Sequence, residues 1–222
     1  MPEPAPQPAP QATPQQPTAQ ELPPEAQRLE VSPAVFQLGL STGYGRAVDS
    51  KSGRTMTYAT PSILPLILDA GYRTPHWFFG VFGQVALVSR ADCGQTRPCS
   101  AKDFQLGLNV HYHARPDQNL DPWFGAGFAY ETVHLSGLSG SGRGTVDRTG
   151  YDFLIMQAGL DVRLGKGETG RKPRIGPFIG LTFGQMSSES RHIDATGGTT
   201  ESKGSVGHQW LVIGARGTID VL

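Results

Sequence analysis

The sequence predicts an all-β fold in which eight antiparallel strands run up and down and close into a barrel. Three observations carry that prediction. From residue 34 onward, stretches of about ten residues alternate apolar and small or polar side chains. The 29 glycines exceed what ordinary helices tolerate and suit tight turns and close backbone approach. The longest apolar run, "WFFGVFGQVALV", is short and interrupted by Gln84, so no segment reads as a spanning helix.

Successive side chains on a strand face opposite ways, so each segment offers two faces. In the first, Phe36, Leu38, Leu40, Thr42 and Tyr44 oppose Gln37, Gly39, Ser41 and Gly43. In the second, Leu64, Leu66, Leu68, Ala70 and Tyr72 oppose Asp69, Gly71 and Arg73. The third sets Trp77, Phe79, Val81, Val85 and Leu87 against Gly80, Gln84 and Ala86, with Phe78 and Phe82 making its second face less polar. In the fourth, "FQLGLNVHYHARP", Phe104, Leu106, Leu108, Val110 and Tyr112 back onto Gln105, Gly107, Asn109, His111 and His113. The fifth, "PWFGAGFAYET", sets Phe124, Ala126, Phe128 and Tyr130 against Gly125, Gly127, Ala129 and Glu131. The sixth, "YDFLIMQAGLDVRLG", sets Leu154, Met156, Ala158, Leu160, Val162 and Leu164 against Gln157, Gly159, Asp161 and Arg163, and strict alternation puts Phe153 on that second face. In the seventh, Ile175, Ile179, Leu181 and Phe183 oppose Gly176, Gly180, Thr182 and Gly184. In the eighth, Leu211, Ile213, Ala215, Ile219 and Val221 oppose Trp210, Gly214, Arg216, Thr218 and Asp220.

Apolar rows of this length match a tilted crossing of a bilayer, and the apolar faces then point outward, to lipid. Connections alternate between short or modest ("RTPH", "ARPDQNLD", "GKGETGRKP") and long ("SGLSGSGRGTVDR", "SSESRHIDATGGTTESKGS"), as in outer-membrane barrels. With a periplasmic amino terminus, Phe36, Tyr72, Trp77, Phe79, Tyr112 and Phe124 form one interfacial aromatic belt; Tyr44, Phe104, Tyr130 and Phe183 form the other. A soluble, lipocalin-like ligand-binding barrel is the alternative. It would turn the apolar faces inward around a ligand and the polar faces outward.

Residues 1–33 are rich in Pro, Gln and Ala and read as a disordered or polyproline-II tail on the periplasmic side, the barrel occupying residues 34–222. The tail lacks the basic start and apolar core of a signal peptide, and it could tether the barrel to the cell wall or to a periplasmic partner. Cys93 and Cys99, in "DCGQTRPC", read as a disulfide closing a small loop in an oxidising compartment; a zinc site would need two further ligands, which that segment lacks. Lys+Arg and Asp+Glu both number 19, which leaves no charge excess for a nucleic-acid partner.

In "PWFGAGFAYE", "GPFIGLTFGQ" and "GARGTIDVL" the chain resembles the small eight-stranded outer-membrane barrels of Gram-negative bacteria, of the OmpA transmembrane-domain and OmpX type, over about residues 34–222. The resemblance implies a bacterial outer-membrane protein among outer-membrane lipids and lipopolysaccharide. Such proteins usually finish on an aromatic residue, whereas this chain ends Ile219, Asp220, Val221, Leu222.

An eight-stranded barrel is just wide enough for side chains to fill it. Asp69, Arg73, His111, His113, Glu131, Asp161, Arg163, Arg216 and Asp220 all take inward parity, and buried charges must pair. The two histidines then belong to a polar plug. A metal set of His111 and His113 with Asp69 or Asp161 is the alternative, but strand positions alone do not make ligands converge, so neither metal nor cofactor is expected. The inward aromatics Trp123, Phe153, Phe178 and Trp210 would complete the filling.

"ETVHLSG" places His134 and Ser136 together on the outer wall, and some outer-membrane lipid A deacylases are eight-stranded barrels with a His-x-Ser pair there. Nucleophilic catalysis also needs an orienting acid, and Glu131 has inward parity. "GLSGSGRG" has no following Lys-Ser/Thr and fails as a phosphate loop. The expected function is therefore non-enzymatic: a structural or surface-interaction role through long extracellular loops, over a filled lumen. The alternatives are a lipid A deacylase-like hydrolase and the soluble barrel.

Overall fold

The structure, a computed structural model, describes residues 34–48, 62–91, 99–139, 142–165, 173–193 and 198–221. It contains β1 (Val35–Ala47), β2 (Ser62–Arg73), β3 (Trp77–Ala91), β4 (Cys99–His113), β5 (Leu120–Ser139), β6 (Gly142–Arg163), β7 (Arg174–Ile193) and β8 (Gly198–Val221). Each strand pairs antiparallel with the next, and β1 pairs with β8 from Phe36↔Val221 to Ala47↔Trp210, closing the ring. The turns after β2, β4 and β6 mark one end, here the near end; those after β1, β3, β5 and β7 mark the far end. The tail over residues 1–33 and Cys93 lie outside the described residues, and with Cys93 the expected disulfide; Cys99 begins β4.

Two features depart from the sequence expectation. The Gly/Ser-rich segments read as long loops are strands: β5 and β6 stay paired to Ser139↔Gly142, and β7 and β8 to Ile193↔Gly198. Ladder hydrogen bonds need only the backbone, and inward positions supply a small core of their own, where Ala101, Val133, Leu135 and Met186 are buried with Val88, Val146 and Val206 against them. The far end is thus built of tall hairpins.

The second departure is a β-bulge in β6. Asp152 lies opposite Ala129 on one side and Gly184 on the other, while Leu154 lies opposite Phe183, so Phe153 is an extra residue. A bulge shifts alternation by one. Phe153 is consequently exposed at 59% rather than inside the lumen, and Asp152, on the other side of the bulge, is fully buried.

Inward side chains form layers along the axis. Charges occupy the near end; above them lies an apolar cluster including Ile67, Phe82, Trp123, Ile155, Phe178 and Trp210. Glu131, Asp152 and His208 follow at the next inward positions of β5, β6 and β8, and the cluster around Val133 and Met186 caps them. Glycine at 159 leaves room for the Trp123 indole, which a Cβ there would meet at 2.7 Å.

Candidate functional site

The near-end charges converge on one carboxylate. Asp121 Oδ2 accepts from His113 Nδ1 at 2.8 Å, Arg174 Nη1 at 3.0 Å and Arg73 Nη2 at 3.2 Å, and Oδ1 accepts the backbone N–H of Arg115 at 3.0 Å. All four side chains in this group are buried. The Pro116 carbonyl takes Arg163 Nη2 at 2.8 Å and Arg174 Nη2 at 3.3 Å, and Gln37 Nε2 donates to Asp220 Oδ1 at 2.9 Å. Asp121 falls in a segment that the sequence assigns to a turn and Arg174 directly follows another, yet Asp121 shares the parity of inward Trp123 and Arg174 that of Gly176.

One level up, Arg216 reaches Asp69 at 3.4 Å and lies over the Trp123 ring at 4.6 Å. His111 is packed between Phe78 and Trp123, ring centroids 5.1 and 4.9 Å away. The two histidines therefore separate: His113 joins the carboxylate network, whereas His111 stacks among aromatics. Asp161 is buried near Asp69 and Arg73. Among the described residues, lumen cavities lined by Asp69, His111 and Arg216, and by Gln84, Gln105 and Gln157, hold about 20 and 30 Å³. Such spaces take one or two waters.

The second polar layer, beyond the apolar cluster, was legible only in part. His208 Nε2 lies 2.7 Å from Glu131 Oε2 and 2.8 Å from Asp152 Oδ1. Asp103, also buried, accepts from Gln84 and Gln105 at 3.2 and 3.3 Å. His208 follows the parity of Trp210 and Asp103 that of Gln105, a signal present in the sequence; Asp152 was hidden by the bulge.

The outer wall has the opposite character. Leu38, Leu66, Leu68, Val81, Leu106, Leu108 and Ile213 are 42–69% exposed, while the opposing faces bury Gln37, Asp69, Gln105 and Arg216. Rings flank this band: Phe36 and Tyr72 pack edge to face at 5.7 Å, Trp77 contacts Phe79 and Tyr112, and Tyr151 contacts Tyr130 and Phe128. Phe124, Phe104 and Tyr44 are exposed in the same wall, and Phe183 is half-buried. In water such a surface would aggregate, whereas in hydrocarbon it is matched, and ring closure leaves no unpaired strand edge. The molecule is a transmembrane β-barrel. An even number of antiparallel strands, an apolar outer band flanked by aromatic rings and a side-chain-filled polar interior make this barrel one of the outer-membrane type, and the soluble lipocalin-like arrangement is excluded by the inverted polarity.

Beyond the barrel wall, on the β5–β6 hairpin, His134 Nδ1 hydrogen-bonds Asp147, its register partner on β6, and Ser136 Oγ lies 2.7 Å from Ser100 Oγ. An acid thus accompanies His134, from a segment read as a loop. On the neighbouring β6–β7 surface, Glu189 accepts from Arg148 at 2.9 Å and Arg191 at 3.0 Å. Partial burial pushes the Glu189 carboxyl up, but the two guanidinium groups outweigh it and hold it below the usual range.

No family model and no curated protein matches the sequence. Among solved structures, the chain is similar to Neisserial surface protein A (14% identity, 83% of this chain and 97% of that one, TM-score 0.47). It is also similar to the outer membrane protein OprG from Pseudomonas aeruginosa (15%, 83% and 95%, TM-score 0.48) and the outer membrane protein AlkL (14%, 84% and 91%, TM-score 0.44). Likeness at such identity concerns the fold alone.

Proposed function

We propose that the protein is a non-enzymatic bacterial outer-membrane barrel, closed by its own side chains, that acts in a structural or surface-interaction role through its far-end hairpins. The observation that carries this reading is the stacked filling of the lumen by described residues: a charged layer, an apolar layer, a second polar layer and an apolar cap, with small cavities such as those of about 20 and 30 Å³ between them. The hairpins present Ser, Thr and Gly with few aromatic anchors of the kind that dominate tight protein interfaces, which favours lipopolysaccharide over a high-affinity protein partner. The near end faces the periplasm, where the Pro-rich segment would tether the barrel to the cell wall or an envelope complex. Planar-bilayer recording tests the plug: the expected result is no steady conductance, and large steady openings from purified protein would refute it. Deleting residues 2–30 tests the tether, which predicts an intact barrel and lost periplasmic co-purification.

A second reading rests on the His134–Asp147 contact two residues from Ser136. It makes the far-end hairpin a lipid A deacylase-like hydrolase with Ser136 as nucleophile, His134 as base and Asp147 as its orienting acid. Acyl release from lipid A, abolished in Ser136→Ala and His134→Ala, would establish it; no release by the folded wild-type barrel would remove it.

A further inference from the structure

We propose that Glu131, Asp152 and His208 form an internal divalent-metal site of the zinc class. One ligand atom from each lies within 4.8 Å of the others, and all three side chains are buried. The arrangement is hard to satisfy without a cation. His208 Nε2 faces both Glu131 Oε2 at 2.7 Å and Asp152 Oδ1 at 2.8 Å. Its single N–H, when present, can serve only one of them. Among the described residues, Glu131 Oε1, Asp152 Oδ2 and His208 Nδ1 have no hydrogen-bond partner, and neither does Oδ1 of the nearby buried Asp103. No guanidinium or ammonium among the described residues forms an ion pair with this layer, in contrast to the near-end network, where Asp121 has two arginines.

The surroundings sharpen the imbalance. Apolar clusters lie on both axial sides of the layer, so its charges are poorly screened. One imidazole, even protonated, balances only one of the three carboxylates around it, and the charge left over in such a place would cost several kcal/mol. Two carboxylate oxygens and one imidazole nitrogen are a mixed O/N donor set suited to Zn²⁺ and related first-row ions, with a fourth position for water or Asp103. Tetrahedral metal–ligand bonds of about 2.0–2.2 Å require the donor atoms to part by roughly half an ångström or more. Position 184 gives them room: it sits in register between Asp152 and His208, and a Cβ there would lie 2.1 Å from Asp152 Oδ1 and 2.3 Å from His208 Nε2. Because the site is sealed from solvent, metal would enter while the barrel forms and remain as a clasp joining β5, β6 and β8.

The test refolds the full chain in detergent with Zn²⁺ or Co²⁺, removes free metal with a chelator, and measures bound metal and the Co²⁺ visible spectrum. Heat-modifiable gel mobility confirms folding of each variant. The expected result is about one equivalent retained, a Co²⁺ absorption band, and loss of both in His208→Gln and Gly184→Ala, while His111→Asn, outside the site, keeps both. Metal-free wild-type barrel after refolding in excess Zn²⁺, with Co²⁺ giving no band, would overturn the site and mean that protons alone balance the cluster. Retention unchanged in folded His208→Gln would overturn it too.

Discussion

Asp121 and Arg174, 53 residues apart in the chain, meet at 3.0 Å inside the near end of the barrel, and the same carboxylate oxygen holds Arg73 and His113. Removing one partner of a buried ionic group leaves the others charged and unmatched, at a cost of about 3–5 kcal/mol. Asp121→Ala should therefore lower stability by that order in urea unfolding of the lipid-embedded protein. Arg163→Ala, which removes a guanidinium donating to the Pro116 carbonyl rather than to a carboxylate, should cost less. A midpoint for Asp121→Ala equal to wild type would mean that water replaces the carboxylate there.

The outer wall makes a contrasting prediction. Leu108 is 62% exposed in the middle of the apolar band, while its neighbour Asn109 faces the lumen. Leu108→Arg should cost about 2–4 kcal/mol in bilayers, and Asn109→Asp less. The unboiled wild-type protein should migrate differently from the boiled one on a gel, because a closed hydrogen-bonded ring resists detergent until heated. Identical mobility would count against the closed barrel.

The far-end pairing of β6 with β7 should loosen in acid. Arg148 and Arg191 hold the Glu189 carboxyl below its ordinary range, so its contribution is present above that range and disappears as pH falls through the depressed value. Hydrogen exchange of residues 144–150 and 186–192 should quicken, relative to the intrinsic rate, between pH 7 and pH 3. In Glu189→Gln that difference should vanish, and persistence of it would assign the loosening to other groups.

We also expect a disulfide between Cys93 and Cys99. Closing so short a loop is worth only about 2 kcal/mol, so reduction should leave the barrel folded. Alkylation of both thiols in unreduced, denatured protein would show that no such bond forms.

The lipid-facing wall was legible because it requires nothing but parity: Leu106, Leu108 and Val110 lie on one side wherever the strand begins. Parity fails where a residue is inserted, and Phe153 is such a residue. Reading through it put an aromatic in the lumen and left Asp152 outside, hiding a member of the far-end polar layer. Composition failed for another reason. Gly, Ser and Thr at 136–149 look like loop, yet the sparse inward Val133, Leu135 and Met186 suffice to hold hairpins whose backbones pair regardless of side chain. Asp121 and Arg174 were passed over because proline and glycine nearby suggest turns, although both continue the inward alternation of their strands.

The β1–β8 pairing has a further meaning for biosynthesis. Gln37 meets Asp220 across 183 residues, and no shorter piece of chain can make that contact. Until the last strand arrives, β1 and β7 each present an open row of amides and carbonyls, and in hydrocarbon every such group costs several kcal/mol. A prematurely terminated chain cannot lower this penalty by folding better, since what it lacks is the strand that satisfies both edges together. The seam thus acts as a proofreading step: membrane residence is open to the finished polypeptide, and truncated products remain in the aqueous compartment within reach of proteases.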